Sequence, residues 1–342
     1  MLGLAGCGGD PEARDGGWAS FAESTSQAYE IGPLGARLGQ LDERVSFGSI
    51  ADILATPNGY FVADGLDPRI VLLDRKLDPV RIIGREGEGP GEYRFPSRLV
   101  RADDRILVLD GGNGRVAYLT LDGDFVTSQP LPGIASDVAA HPELGLLVAG
   151  DAFPGHYLAR VTAEGTTAFG PIPEELRVDT SGFRWPLDLV TVTTDGAIHV
   201  LDADQLALVS FRPDGDLASV AFLPREMRAR ELRLAEERVE ALGGPDRVIG
   251  TQIVSTLRSL EDGRVFVRNT SENPSGVIAK GLVLDMERLE AIPLTFAAGR
   301  EDPEWRRGSR VYLDGLDRVV LREPLGSVGL AAAQVELVTR DP

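Results

Sequence analysis

The side chains best equipped for chemistry are concentrated in one stretch, Gly84-Arg85-Glu86-Gly87-Glu88-Gly89-Pro90-Gly91-Glu92-Tyr93-Arg94-Phe95-Pro96. Its glycines allow positive φ and a close approach of backbone to a ligand. A phosphate cradle would need a Gly-Lys-Ser/Thr ending and a following helix. Neither is present, and Glu86, Glu88 and Glu92 would repel an anion. The same carboxylates carry the hard oxygen donors that calcium takes. Glu86, Glu88, Glu92 and the adjacent Arg85 are therefore the candidate cation- or ligand-binding set, with calcium as the candidate ion. The rival reading is a plain crossover between two structural units.

A second set recurs. Val62-Ala63-Asp64-Gly65-Leu66-Asp67-Pro68-Arg69-Ile70-Val71-Leu72 returns 46 positions later as Val108-Leu109-Asp110-Gly111-Gly112-Asn113-Gly114-Arg115-Val116-Ala117-Tyr118. Asp64 falls on Asp110, Asp67 on Asn113 and Arg69 on Arg115; at twice the period Asp202 falls on Asp110. Carboxylates repeated in register point to a structural role, accepting turn N–H groups or pairing with the following arginine. His141, His156 and His199 lack metal-ligand spacing and are expected to be structural or solvated. Gly326-Ser327-Val328-Gly329 is one residue short of a nucleophile elbow. Trp185 and Trp305, at irregular joins, are candidates to line a pocket for a sugar or aromatic ligand.

The elements that must position these residues are strands. Ile50–Ala55, Tyr60–Ala63, Ile70–Leu73 and Val80–Ile83 read as a four-stranded antiparallel meander, with a hairpin turn at Asn58-Gly59. Units of this length with β periodicity are propeller blades. Further blades are expected over 133–170, 186–221, 249–294 and 302–338, the third shortened and degenerate. An N-terminal strand within 25–47 is expected to complete the last blade. The fold class is thus all-β, a six-bladed β-propeller of four-stranded antiparallel blades. One helix is inserted over about 224–244, between blades four and five. It opens at Pro224, carries Leu232, Ala235, Val239 and Leu242 on one stripe, and ends at Gly243-Gly244.

With 53 acidic against 35 basic side chains the net charge is −18, which excludes phosphate backbones as natural partners. A single cysteine excludes an internal disulfide framework. That cysteine ends Leu4-Ala5-Gly6-Cys7, which resembles the lipobox of bacterial lipoproteins and implies lipidation of Cys7. Only six residues precede it, fewer than a secretory leader needs, so either the start codon lies upstream or the sequence is truncated. Residues 1–7 are then a residual signal, 8–28 a flexible tether rich in Gly, Ala, Ser and acidic residues, and 29–342 the propeller. No stretch of 18 uninterrupted apolar residues follows, so membrane contact is expected only through the lipid.

The Val-Ala-Asp-x-x-Asp-x-Arg-Ile units look like NHL-type blades. Together with the Gly-Glu-Gly-Pro-Gly-Glu-aromatic loop they resemble the six-bladed propeller lipoproteins of bacterial envelopes. The resemblance is fullest over 48–128 and continues over 186–222. It implies a fold and a compartment more than a reaction: a monomer anchored at the outer membrane or periplasmic face. Its partner is expected to be an envelope protein or small ligand on a propeller face, in a non-catalytic binding or scaffolding role. The alternative is a metal-dependent (calcium) hydrolase or lyase of the lactonase-like propeller type. No catalytic residue is assigned.

Overall fold

The computed structural model describes residues 27–38, 45–177, 188–225, 228, 254–269, 277–288, 290–298, 310–313, 318–322 and 330–338. Cys7, Trp185 and Trp305 lie outside them. The described chain is a β-propeller built of strands in five sheets. Four sheets are four-stranded meanders in chain order. Blade 1 holds β2 (Ile50–Thr56), β3 (Gly59–Asp64), β4 (Arg69–Asp74) and β5 (Pro79–Ile83), and blade 2 holds β6 (Pro96–Ala102), β7 (Arg105–Asp110), β8 (Arg115–Thr120) and β9 (Phe125–Pro130). Blade 3 holds β10 (Ala135–His141), β11 (Gly145–Gly150), β12 (His156–Thr162) and β13 (Gly165–Pro171). Blade 4 holds β14 (Leu189–Val192), β15 (Ile198–Asp202), β16 (Ala207–Phe211) and β17 (Leu217–Phe222).

The fifth sheet has eight strands. It runs from β18 (Val254–Ser259), β19 (Val265–Asn269), β20 (Val277–Asp285) and β21 (Glu290–Ala298) through β1 (Gln27–Leu38) to β24 (Leu330–Val338), β23 (Arg318–Arg322) and β22 (Arg310–Leu313). The strand expected within 25–47 is β1. It pairs antiparallel with β24, Tyr29 opposite Leu337, as the fourth strand of that ladder. It also pairs parallel with β21, Gln27 opposite Leu294, so two four-stranded runs merge into one sheet instead of standing as separate fifth and sixth blades.

The chain divides into two compact units, one of 26–132, 272–280 and 294–342 and the other of 1–25, 133–271 and 281–293. In the first, Phe61, Ile70, Tyr93, Leu99, Ile106 and Leu119 join blades 1 and 2 in one core. In the second, Leu147, Tyr157, Ile198, Val209 and Phe211 join blades 3 and 4, and Leu201, Leu208, Leu257, Val267 and Leu282 extend the packing to β18–β20. Within a blade the second strand is buried on both faces, as in Gly59–Asp64, while the outermost strand exposes Val80, Arg81 and Ile82. Both-face burial explains the continuous apolar runs, which alternate only toward the rim.

Two expectations change. The first hairpin has Pro57 and Asn58 as its two loop residues, with Thr56 opposite Gly59, so the turn sits one residue earlier than Asn58-Gly59. Gly59 is needed inside the strand, because a Cβ there would stand 1.9 Å from the carbonyl oxygen of Leu73. Blade 3 is complete, not shortened. It hides from the repeat because Gly150 stands where Asp64 and Asp110 stand, and a Cβ there would meet Ile134 O at 2.1 Å. Asp151 takes over the turn, accepting the Ile134 N–H at 2.7 Å. No helix of the expected length is present among the described residues, and 224–244 lies almost wholly outside them. Arg225 and Arg228 are helical, with the Arg228 N–H donating to Pro224 O at 3.0 Å. Among the described residues no helix is long and apolar enough to cross a membrane.

Candidate functional site

The repeated carboxylates sit where the second strand of a blade turns into the third, and each gathers backbone N–H groups. Asp64 accepts from Gly48 and Ser49 at 2.8 Å and from Leu66 and Asp67 at 3.2 Å. Asp110 accepts from Arg94 and Phe95 at 3.0 Å. Asp202 accepts from Asp204 and Gln205 and takes the Tyr157 hydroxyl at 2.7 Å. A buried carboxylate is stable only when so supplied. The two arginines then diverge. Arg115 Nε lies 3.3 Å from Asp110 Oδ2, beside the Asn113 amide at 2.7 Å. Arg69 turns instead to Asp67 at 2.8 Å and donates to Ser46 O. The cause is one substitution within the repeat: Asn113 can donate to the aspartate, whereas Asp67 cannot and draws the arginine to itself.

The 84–95 stretch is the crossover from β5 to β6, folded back over the Asp110 turn. Arg115 is its centre. Its Nη1 donates to Glu88 O at 2.9 Å and its Nη2 to Gly89 O at 2.9 Å and Glu92 O at 2.6 Å. Asn113 holds Gly87 O at 2.9 Å. The loop is stitched to itself where Tyr93 N–H donates to Arg85 O and Gly87 N–H to Tyr93 O. A guanidinium with its donors in a fixed fork thus sits where the Glu88, Gly89 and Glu92 carbonyls converge.

The three glutamates do not converge. Glu92 Oε1 accepts from Arg85 Nε and Nη2 at 2.9 and 2.8 Å, and its Oε2 takes the Gly89 N–H at 2.9 Å. The Gly89 amide first, then Arg85, holds this carboxyl below the usual glutamate range. Glu88 pairs with Arg94 at 2.9 Å, and Glu86 is exposed. Among the described residues no group of three His, Cys, Asp or Glu could hold a metal ion. Behind the loop, Tyr93 is fully buried, and its hydroxyl lacks a hydrogen-bond partner among the described residues. Burial, and then the Asp110 carboxylate, push its phenol well above the ordinary tyrosine range.

The sequence reading missed the carboxylates inside first strands. Asp52 is buried in β2; its Oδ1 accepts from Ile53 N–H, and its Oδ2 crosses to the Leu99 N–H of blade 2 at 3.0 Å. Arg98 Nη1 stands 4.0 Å from the same oxygen. Asp137, at the matching position of β10, accepts from Val138 N–H and crosses to Val190 N–H of blade 4 at 3.2 Å. Thr191 makes the equivalent tie, its Oγ1 accepting the Ser259 N–H at 3.0 Å. A lone aspartate in an apolar strand was the visible signal, since aspartate is depleted from strands.

His156 is half-buried beside Pro154 O. His141 and His199 are buried and hydrogen-bonded.

Residues 40–148 match the DUF5128 family, described as a 6-bladed beta-propeller. No curated protein matches the chain. Among solved structures, the chain is similar to a protein described as exported from Bacteroides fragilis, at 13% identity and a TM-score of 0.56 over 94% of this chain and 98% of that one. It is also similar to a protein of unknown function from Bacteroides thetaiotaomicron, at 14% identity and a TM-score of 0.54 over 91% and 77%. A third is virginiamycin B lyase from Staphylococcus aureus with quinupristin, at 11% identity and a TM-score of 0.50 over 94% and 98%. At these identities the likeness is one of fold. The protein is a β-propeller, and the six-bladed family is the one that its first blades match.

Proposed function

We propose that this propeller is a bacterial envelope protein, held to the membrane by a lipid on Cys7, that works as a non-catalytic scaffold for a protein partner or small ligand. One observation carries the reading. Three side chains of the family-matched region that could do chemistry are engaged by the fold, Arg115 on three loop carbonyls, Asp110 on two backbone amides and Glu92 on Arg85. The lipobox-like Leu4-Ala5-Gly6-Cys7 and the likeness to a protein described as exported support the address.

Two experiments test it. In a chain carrying a full lipoprotein leader, the protein should partition into detergent and Cys7→Ala should move it to the aqueous phase. Unchanged partitioning removes the anchor. Thermal melting of residues 8–342 with calcium, EGTA, sugars, lactones and short peptides tests the role. A ligand at 100 times its Kd adds about 2.7 kcal/mol. A calcium shift reversed by EGTA would replace the scaffold with the metal-dependent hydrolase or lyase reading.

A further inference from the structure

Two of the chain's three histidines meet on one turn of blade 4. The turn, Thr193 to Ala197, joins β14 to β15 and is closed by Thr193 N–H on Ala197 O and Gly196 N–H on Thr193 O. From blade 3, His141 Nε2 reaches Gly196 O at 3.1 Å, while its Nδ1 accepts the N–H groups of Glu143 and Leu144 at 3.1 and 3.2 Å. Those two donors require a bare Nδ1, which assigns the proton to Nε2. On the other side, His199 lies between two hydroxyls, with Nδ1 2.8 Å from Ser210 Oγ and Nε2 3.4 Å from Thr193 Oγ1. Thr193 Oγ1 stands 2.6 Å from Asp195 Oδ1 and 3.1 Å from Ala197 O. The shorter, charge-assisted contact takes the threonine proton. The donors then run in one direction, Ser210 to His199 to Thr193 to Asp195. His141, His199, Thr193 and Ser210 are each no more than 5% exposed.

We propose that this turn is an acid-sensitive clasp, in which proton uptake by His199 releases the turn and loosens blade 4 within its unit. An imidazolium at His199 would be a cation in a desolvated site. Burial holds the His199 ring down to about 4, and Asp195 opposes this only in part. Among the described residues, the elements packed on the turn carry Glu143 and Arg160 on blade 3 and Arg258, Glu261, Asp262 and Arg264 on β18 and the turn after it, where Gly263 lies against Thr194. Arg160 is bonded to Leu144 O and Arg264 to Asp262. The ordinary imidazole value of about 6.5 applies once the site opens. Because the value is depressed in the fold, stability is fully present above about 6.5 and is lost as pH falls from 6.5 toward 4. Between pH 7.5 and 5 the opening constant should rise roughly 25-fold.

The test uses the full chain with 15N-labelled histidine. The expected result is a His199 ring protonated on Nε2 that stays neutral to pH 5. Amide protection of 193–197, corrected for intrinsic exchange, should fall roughly 25-fold between pH 7.5 and 5, and His199→Gln should flatten that slope. Most carboxylates are still ionised at pH 5, and His199→Gln separates this ring from the other two imidazoles. His199 titrating near 6.5, protection unchanged to pH 5, or a His199→Gln slope equal to wild type would each overturn the proposal. The histidine spectra need no variant and stand even where His199→Gln does not fold.

Discussion

Arg115 and Glu92 meet backbone to side chain: the guanidinium of Arg115 donates to the main-chain oxygen of Glu92 at 2.6 Å, while the carboxylate of Glu92 turns away to Arg85 at 2.8 Å. Two arginines from different elements therefore grip one residue from opposite ends. The crossover between blades 1 and 2 is built around an internal cation.

Removing that cation takes one donor from each of three carbonyls and from the buried Asp110, which keeps the Arg94, Phe95 and Asn113 donors. Arg115→Ala should lower stability by roughly 2–4 kcal/mol in urea unfolding. Arg115→Lys should recover only part of it, since an ammonium cannot reach the carbonyls in fork geometry. Limited proteolysis should show new cleavage within 84–95 for the alanine variant.

The glutamates of this loop separate by role. Glu86→Gln should be silent, and Glu88→Gln should change stability by less than about 1 kcal/mol, as for an exposed pair. Glu92→Gln should loosen the loop. Because the Glu92 carboxyl is held below its ordinary value, its support is fully present above about pH 4.5 and is lost as pH falls through the lower folded value. Amide exchange at Gly89 read against pH should show that acid limb in wild type and not in Glu92→Gln.

Tyr93 buries a hydroxyl that has no partner among the described residues. Tyr93→Phe removes an unmet polar group while keeping the ring, so it should be neutral or stabilising by about 1 kcal/mol. Tyr93→Ala should cost about 3–5 kcal/mol through the cavity left between Phe61, Ile83 and Leu119. Thermal melting of the two variants checks both signs.

The ties between first strands are a third target. Asp137→Ala leaves the Val138 and Val190 N–H groups without their acceptor and should cost roughly 2–3 kcal/mol. Asp52→Ala should cost at least as much, because Arg98 then keeps a buried charge with that neighbour gone. Asp52→Ala with Arg98→Met should be less harmful than the sum of the two single changes. A double-mutant cycle measures that coupling.

What the sequence determined by itself was periodic. A 46-residue repeat, strand-length apolar runs and turn residues identify blades, because each blade is a local meander whose hydrogen bonds join neighbours in the chain. The Asp64–Asp110–Asp202 register was legible for the same reason: each carboxylate serves turns near it in sequence. Blade 3 escaped because Gly150 fills the aspartate position, a choice set by the approach of Ile134 O. Only the tertiary structure decided that Arg115 threads the glycine loop, since its partners lie 23 to 27 residues away. It alone showed that Asp52 and Asp137 cross between blades and that His141 and His199 share one turn. It also parted Arg69 from Arg115, which the repeat aligns. Spacing along the chain fixes which groups are available, but which donor meets which acceptor depends on how neighbouring blades pack and exclude water.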